Sequence, residues 1–198
     1  MLTTHHTSTT RGRIRLARLA CLCLSLILFD GIQSVAAEEQ GASEYAVKAA
    51  IIYKISKFVS WPDDAFTTRK EPLSICLPAA DPIGPALDAL TGKIVQGRSI
   101  EVLRFDETEA IASNCKILFL GEAADGRRIA LVSGVANSPV LTIGDTEDFV
   151  DLGGIVTLEI QQNRIRFAIN VGASDRAGLG ISAQLLQLAT IRNGGSAR

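Results

Sequence analysis

Histidine and cysteine most often carry catalysis or metal binding in proteins, and both are unevenly placed in this chain. The two histidines, His5 and His6, lie in a segment that has the pattern of a secretory signal peptide over residues 1–37. That segment has a basic start, an apolar run over Leu19–Phe29 and small residues before the expected cleavage site. Cleavage would leave residues 38–198 with no histidine and two cysteines. We therefore expect a protein that acts by binding a partner or ligand and is not an enzyme. The expected mature chain has no histidine, the group that ordinarily transfers protons near neutral pH.

An uncleaved membrane anchor is the alternative interpretation of the same segment. A spanning helix needs about 20 apolar residues, whereas this run has 11 and ends at Asp30. We expect an exported, non-spanning protein with one domain over residues 38–198. That part has 16 basic and 20 acidic residues, a net charge of −4, which argues against nucleic-acid binding.

The two cysteines of the expected mature chain are Cys76 and Cys115. Export into an oxidising compartment favours a structural disulfide between them, with buried free thiols or a redox switch as the alternatives. If their strands were parallel neighbours in register, the two cysteines would lie at opposite ends. A bridge would then require either a stagger of the strands or Cys115 in the connection before its strand. No CxxC pair or nucleotide-binding glycine loop is present, so we expect no metal and no cofactor.

Three acidic residues each follow a predicted parallel strand: Asp81, Glu122 and Asp145. Ligands of open α/β sheets bind beyond the carboxyl ends of the strands, so these acids could hold a cation or the amine of a small ligand. The alternative is that they are helix caps and turn residues. Two aromatic residues, Tyr45 and Trp61, lie at the ends of a predicted helix and are candidate partner anchors, with ordinary packing as the alternative.

The elements that would position these residues follow from hydrophobic spacing. Apolar residues at helical intervals predict one buried stripe, consisting of Val47, Ile51, Ile55 and Phe58. Predicted strands lie at 72–77, 98–105, 116–120 and 140–143, and predicted helices lie at 82–90, 127–135 and about 176–191. The last helix would bury a stripe of Ile181, Leu185 and Leu188.

The clearest local pattern is a hairpin over Ile155–Asn170 that turns at Gln162-Asn163. It pairs Glu159 with Arg166 on one face and apolar residues on the other. The pattern predicts a single-domain, Rossmann-like α/β fold. Its mostly parallel sheet would carry a C-terminal antiparallel hairpin inside a three-layer sandwich.

An ordered set of segments along the chain resembles the YfiR-like family of small periplasmic proteins, and the resemblance covers essentially all of the expected mature chain. The matching segments are Val47–Ala50, Lys57–Pro62, Leu73–Cys76, Gly97-Arg98, Asn114–Phe119, Leu141–Asp145, Phe149, Gly153–Ile155, Phe167–Asn170, Ala177–Ser182 and Leu185-Leu186. No single segment is specific, but their order is.

The resemblance implies a periplasmic repressor that binds the sensor region of an inner-membrane diguanylate cyclase and lowers cyclic-di-GMP and biofilm formation. It also implies a Cys76–Cys115 disulfide and a tendency to form homodimers. The well-known members carry a second cysteine pair near Asp145–Thr157, which this chain lacks. The rival hypothesis is a periplasmic small-molecule-binding module that reports to another membrane sensor or transporter through the acidic residues above.

Overall fold

The structure is a computed structural model that describes residues 44–106, 111–124, 126–161 and 164–192. The predicted signal peptide over 1–37 and the predicted turn at Gln162-Asn163 lie outside these residues. None of the helices within the described ranges is long and apolar enough to cross a membrane.

Eight strands form one sheet in the order β10-β8-β7-β6-β5-β2-β4-β3. Most neighbours are parallel, and the two antiparallel pairs are β7 with β8 and β3 with β4. A separate two-stranded sheet joins β1 and β9. The strands are β1 (Val59–Ser60), β2 (Leu73–Pro78), β3 (Ile94–Val95), β4 (Arg98–Phe105), β5 (Ile117–Leu120), β6 (Leu141–Gly144), β7 (Val156–Gln161), β8 (Arg164–Asn170), β9 (Gly180–Ile181) and β10 (Thr190–Arg192).

Helices connect most of the parallel strands, as crossover connections require. They are α1 (44–56), α2 (Gly84–Asp88), α3 (Ile111–Asn114), α4 (Arg128–Val135), α5 (Val171–Arg176) and α6 (Ala183–Leu186). Short 3₁₀ turns cover Asp63–Ala65 and Glu122–Ala124.

The sheet is the middle layer of three. Successive residues of β5 point to opposite faces, so Phe119 and Leu118 belong to two different core clusters. The larger cluster packs beneath α1, α2, α5 and α6, and the smaller one packs beneath α3 and α4. Because both faces of the central strands are covered, β2 and β5 are buried along their whole length. The predicted α/β three-layer fold is confirmed.

The register of the predicted hairpin is also confirmed. Glu159 lies opposite Arg166 on one face, and Leu158 lies opposite Phe167 on the other. A shift of one residue would move every apolar side chain of β7 to the other face of the sheet, which fixes the pairing.

The predicted helix from about Arg176 to Ile191 is wrong. The chain there forms the end of α5, then β9, then the single turn α6, then β10. Gly178 adopts a left-handed conformation with φ of +68°, which ends α5. Ser182 then starts a new helix by accepting a hydrogen bond from the Leu185 amide at 3.2 Å. Leu188, placed in the buried stripe by the sequence, is instead 72% exposed.

The buried face of α1 also differs from the predicted one. Val47 is 47% exposed, whereas Lys48 is only 5% exposed and lies on the same face as Ile52 and Ile55. Two stripes share Ile55 in this sequence, one starting at Val47 and one at Lys48. The packed one starts at the lysine because Lys48 has carboxylate partners inside the fold.

Cys76 and Cys115 form a disulfide in the structure, with their Cα atoms 5.7 Å apart. Cys115 lies in the connection between α3 and β5, the second of the two geometries that the sequence allowed. Ser74 holds this connection against β2, because its hydroxyl donates to the Asn114 carbonyl at 2.6 Å and its carbonyl accepts from the Lys116 amide at 3.1 Å.

Candidate functional site

The sheet has a topological switch point between β2 and β5. The chain leaves β2 toward β4 on one side and returns to β5 on the other. The connections that follow the two strands therefore diverge and leave a crevice beyond their carboxyl ends, where open α/β sheets bind ligands. Asp81 follows β2, Gly121 follows β5, and Asp145 follows the neighbouring strand β6.

Asp81 and Asp145 converge on Gly121. A Cβ atom added to Gly121 would lie 2.8 Å from Asp81 Oδ2 and 3.3 Å from Asp145 Oδ1. Both oxygens are buried, and no atom in the described part of the chain donates a well-formed hydrogen bond to either. The site therefore offers two buried acceptor oxygens close to one point, neither of which accepts a well-formed hydrogen bond, although the Gly121 amide lies near Asp81.

The second oxygen of each carboxylate is engaged. Asp81 Oδ1 accepts a hydrogen bond from the Ile83 amide at 3.2 Å, which is the turn role that the sequence allowed for it. Asp145 Oδ2 accepts from Lys48 Nζ at 2.7 Å. The same ammonium lies 2.6 Å from Glu44 Oε1, so one lysine is shared by two carboxylates.

Burial and neighbouring charge shift the ionisation of these groups. Burial raises the pKa of Asp81, and the nearby Asp145 charge adds to the rise against the opposing Ile83 and Gly121 amides and Lys48. Burial disfavours the charged form of Lys48, but its hydrogen bonds to Asp145 and Glu44 outweigh that effect and raise the pKa of Lys48. The lysine thus stays charged, whereas burial favours the neutral form of Asp81 and raises its pKa.

The other candidate residues differ in their exposure to solvent and in their distance from the two aspartates. Glu122 is exposed in the turn after β5. Tyr45 is half-buried, with its ring centroid 5.5 Å from Lys48 Nζ, so it borders the crevice. Trp61 lies apart from them, since its indole donates to the Lys116 carbonyl at 3.2 Å near the start of β5. The structure brings Asp81 and Asp145 together, places Tyr45 beside them and leaves Trp61 at the other end of the sheet.

Two residues of the site were not predicted. Gly121 is a single glycine directly after the apolar strand β5, a position that allows close approach of neighbouring side chains. Lys48 is not part of the predicted buried stripe of α1, although it is spaced four and seven residues from Ile52 and Ile55. Within the described ranges, no three metal-ligating side chains are grouped as a metal ion requires.

A second surface lies at the β10 end of the sheet. Ile160 and Ile191 are both 47% exposed, and the half-buried Ile165 and Phe167 lie on the same sheet face. We call these four residues the edge patch. Leu188, the most exposed large apolar residue within the described ranges, precedes β10 and adds apolar surface in that part of the chain. Exposed apolar residues that follow one edge of a sheet are typical of a protein-binding surface.

Several solved structures are similar to this chain, including the following two. A conserved domain protein from Vibrio cholerae O1 biovar El Tor str. N16961 is 13% identical with a TM-score of 0.52, and the match covers 74% of this chain. The chain spans only 59% of that protein, and the likeness shows the fold alone. An ABC domain from Streptococcus pneumoniae in complex with L-Trp is 12% identical with a TM-score of 0.44, covering 65% of this chain and 57% of that one, and it carries no argument.

A match to a protein-family model identifies the family of this chain, which neither structure does. Residues 45–190 match the model of the YfiR/HmsC-like family, DUF4154. The matched range starts in the first turn of α1, ends in β10 and includes both cysteines and the whole crevice. The match extends over well more than half of the sequence, and the chain therefore belongs to the YfiR/HmsC-like family.

Proposed function

We propose that this protein is a periplasmic repressor of an inner-membrane diguanylate cyclase. It binds the periplasmic sensor region of the cyclase, stabilises the inactive arrangement, and so lowers cyclic-di-GMP and biofilm formation. Membership of the YfiR/HmsC-like family is the observation that carries this proposal. The Cys76–Cys115 disulfide supports it, since such bonds persist in oxidising compartments such as the periplasm.

The edge patch is the surface that we assign to the sensor region. Ile191 lies in β10, the last strand in the sheet order of the described residues, Ile165 and Phe167 lie in the neighbouring β8, and Ile160 lies in β7. Ile191 is exposed there, and its strand neighbours Thr190 and Arg192 point to the opposite face of the sheet. The centre of a protein interface is typically apolar, as the edge patch is. A second copy of this chain is the competing occupant, and sedimentation of the purified protein distinguishes the two.

The sequence put forward Tyr45 and Trp61 as partner anchors, and they remain a prediction. Both are half-buried and pack against the larger core cluster. The Trp61 indole also has a hydrogen-bond partner within the chain. The edge patch is the better candidate because Ile191 exposes nearly half of its surface.

Replacing Ile191 by aspartate should prevent repression without unfolding the protein. A charge at an apolar contact should weaken binding to the sensor region by at least about tenfold. Cyclic-di-GMP is measured in a deletion strain that carries the cognate cyclase and expresses either wild type or I191D. The matched control is Ile129→Asp, because Ile129 is 61% exposed but lies on α4 in the other helical layer.

We expect deletion to raise cyclic-di-GMP, wild type and I129D to restore the low level, and I191D to fail. Unchanged cyclic-di-GMP on deletion would contradict the repressor function itself. Full complementation by I191D would contradict only the assignment of the edge patch.

The second candidate function is a small-molecule-binding module that reports to another membrane sensor or transporter. The two acceptor oxygens without a donor at Asp81 and Asp145 favour it. A concavity of about 200 Å³ lined by Asp145, Glu147, Glu159 and Ile160 opens beside the pair. A metabolite that uses this site should raise the melting temperature of wild type but not of Asp81→Ala or Asp145→Ala. No shift across an amine-rich metabolite panel would count against it.

A further inference from the structure

The acid pair Asp81 and Asp145 joins parts of the fold that are far apart in sequence. Asp81 organises the turn after β2 through the Ile83 amide. Asp145, directly after β6, is tied to helix α1 through Lys48. Between them, Gly121 follows β5, and its carbonyl accepts from Arg128 Nη2 of α4 at 3.2 Å. The two carboxylates therefore contact three connections, those after β2, β5 and β6, and are linked to helices α1 and α4.

Two buried carboxylates beside the same glycine are costly inside a protein when one oxygen of each accepts no well-formed hydrogen bond. Each buried oxygen forgoes its hydrogen bonds to water, and two negative charges at short range repel each other. Lys48 forms an ion pair with Asp145, but it contacts only Oδ2. Glu44 forms an ion pair with the same ammonium group. The pair therefore requires a donor between Asp81 Oδ2 and Asp145 Oδ1.

The space around Asp81 Oδ2 and Asp145 Oδ1 limits the size of a donor that could bind both. Gly121 and the Phe119 ring close the region, since a Cβ on Gly121 would already lie 3.1 Å from Phe119 Cε1. Both oxygens are shielded from solvent in this conformation. A proton needs no volume, so it can supply the donor in this conformation.

We propose that Asp81 carries a proton in the folded protein and donates it from Oδ2 to Asp145 Oδ1, which makes the pair a pH-sensitive clamp on the crevice. Asp81 is the proton carrier because its other oxygen accepts only from a neutral amide, whereas that of Asp145 faces an ammonium. Loss of the proton leaves two like charges facing each other and loosens the connections after β2, β5 and β6.

The charged groups around the pair set the direction of the response. Helix α1 contributes Glu44, Tyr45 and Lys48, the turn after β5 contributes Glu122, and α4 contributes Arg128. Burial raises the pKa of Asp81, as described above. A carboxyl whose pKa is higher in the folded than in the unfolded state stabilises the fold at low pH, and this stabilisation is lost as pH rises through the folded pKa. The clamp is thus closed in acid and released toward neutral and basic pH.

The test uses Asp81→Asn in the purified full chain, because an amide keeps the acceptor for Ile83 and supplies a permanent donor toward Asp145. The melting temperature is measured from about pH 4 to about pH 9 for wild type and variant. We expect D81N to exceed wild type by a margin that grows with pH, reaching about 3 °C or more at the basic end. The matched control is Glu147→Gln, an exposed acid near Asp145 in sequence, whose margin should stay flat.

A margin for D81N that is flat or negative across the range would overturn the proposal. A second measurement needs no variant: a carbon-13 NMR titration of the aspartate carboxyls in wild type. We expect one buried aspartate to titrate well above the ordinary range, and titration of all aspartates within it would also overturn the clamp. Neither test involves the cyclase, so failure here would leave the repressor proposal standing.

Discussion

Gly154→Ala is expected to destabilise the protein by about 3 kcal/mol, because the added methyl group would overlap a buried aromatic ring. Phe149 is fully buried, and its ring lies between Gly144 at the end of β6 and Gly154 before β7. A Cβ on either glycine would overlap the ring itself. The ring cannot retreat, since Phe149 belongs to the packed core beneath α3 and α4.

The measurement is urea unfolding of wild type and G154A, with Gly134→Ala as the matched control. Gly134 lies in the last turn of α4, and a Cβ there would meet nothing within 4 Å. That substitution should stabilise the fold by about 0.5–1 kcal/mol, the usual gain from alanine in a helix. If G154A were as stable as wild type, Phe149 would not be clamped between the two glycines. Phe149→Leu in the G154A background should recover part of the loss, because it removes the overlap.

Removing the Cys76–Cys115 disulfide is expected to cost about 4 kcal/mol in the chain-entropy model, since the bond closes a loop with a sequence separation of 39. Both sulfurs lie in the smaller core cluster, so the bond also joins β2 to the connection that leads into β5. Cys76→Ser/Cys115→Ser should therefore unfold at much lower denaturant concentration than the oxidised wild type.

Reduced wild type is the control for that experiment, because it lacks the bond but keeps both sulfurs. It should unfold close to the double variant. Equal stability of oxidised and reduced wild type would contradict a structural role, and activity that switches between the two forms would favour the redox alternative.

The parts of the fold that could be predicted are those that local pattern specifies tightly. The hairpin register followed from alternating apolar residues together with the Glu159–Arg166 pair, because a slip of one residue exposes the whole apolar face. The last helix could not be predicted in the same way. Its spacing from Ile181 to Leu188 fits a helical stripe, but Gly178 ends α5 before that stripe begins, and β9 pairs with β1 from the other end of the sequence.

The candidate site likewise has a part that could be predicted from the sequence and a part that could not. The positions of Asp81 and Asp145 followed from the general rule that ligands bind beyond strand ends. Their convergence on Gly121 depends on the strand order, with β5 between β2 and β6, which the sequence does not specify. The burial of Lys48 could not be predicted, because an apolar pattern does not reveal that a lysine is buried with its carboxylate partners.

The central claim is that the chain binds the sensor region of a diguanylate cyclase. Its most direct test is cross-linking of the tagged mature protein in intact cells, followed by mass spectrometry of the captured membrane proteins. We expect a diguanylate cyclase with a periplasmic sensor region, with cross-linked peptides from β7, β8 or β10. Capture of a transporter or an unrelated receptor in its place, or of no membrane protein at all, would contradict the repressor account.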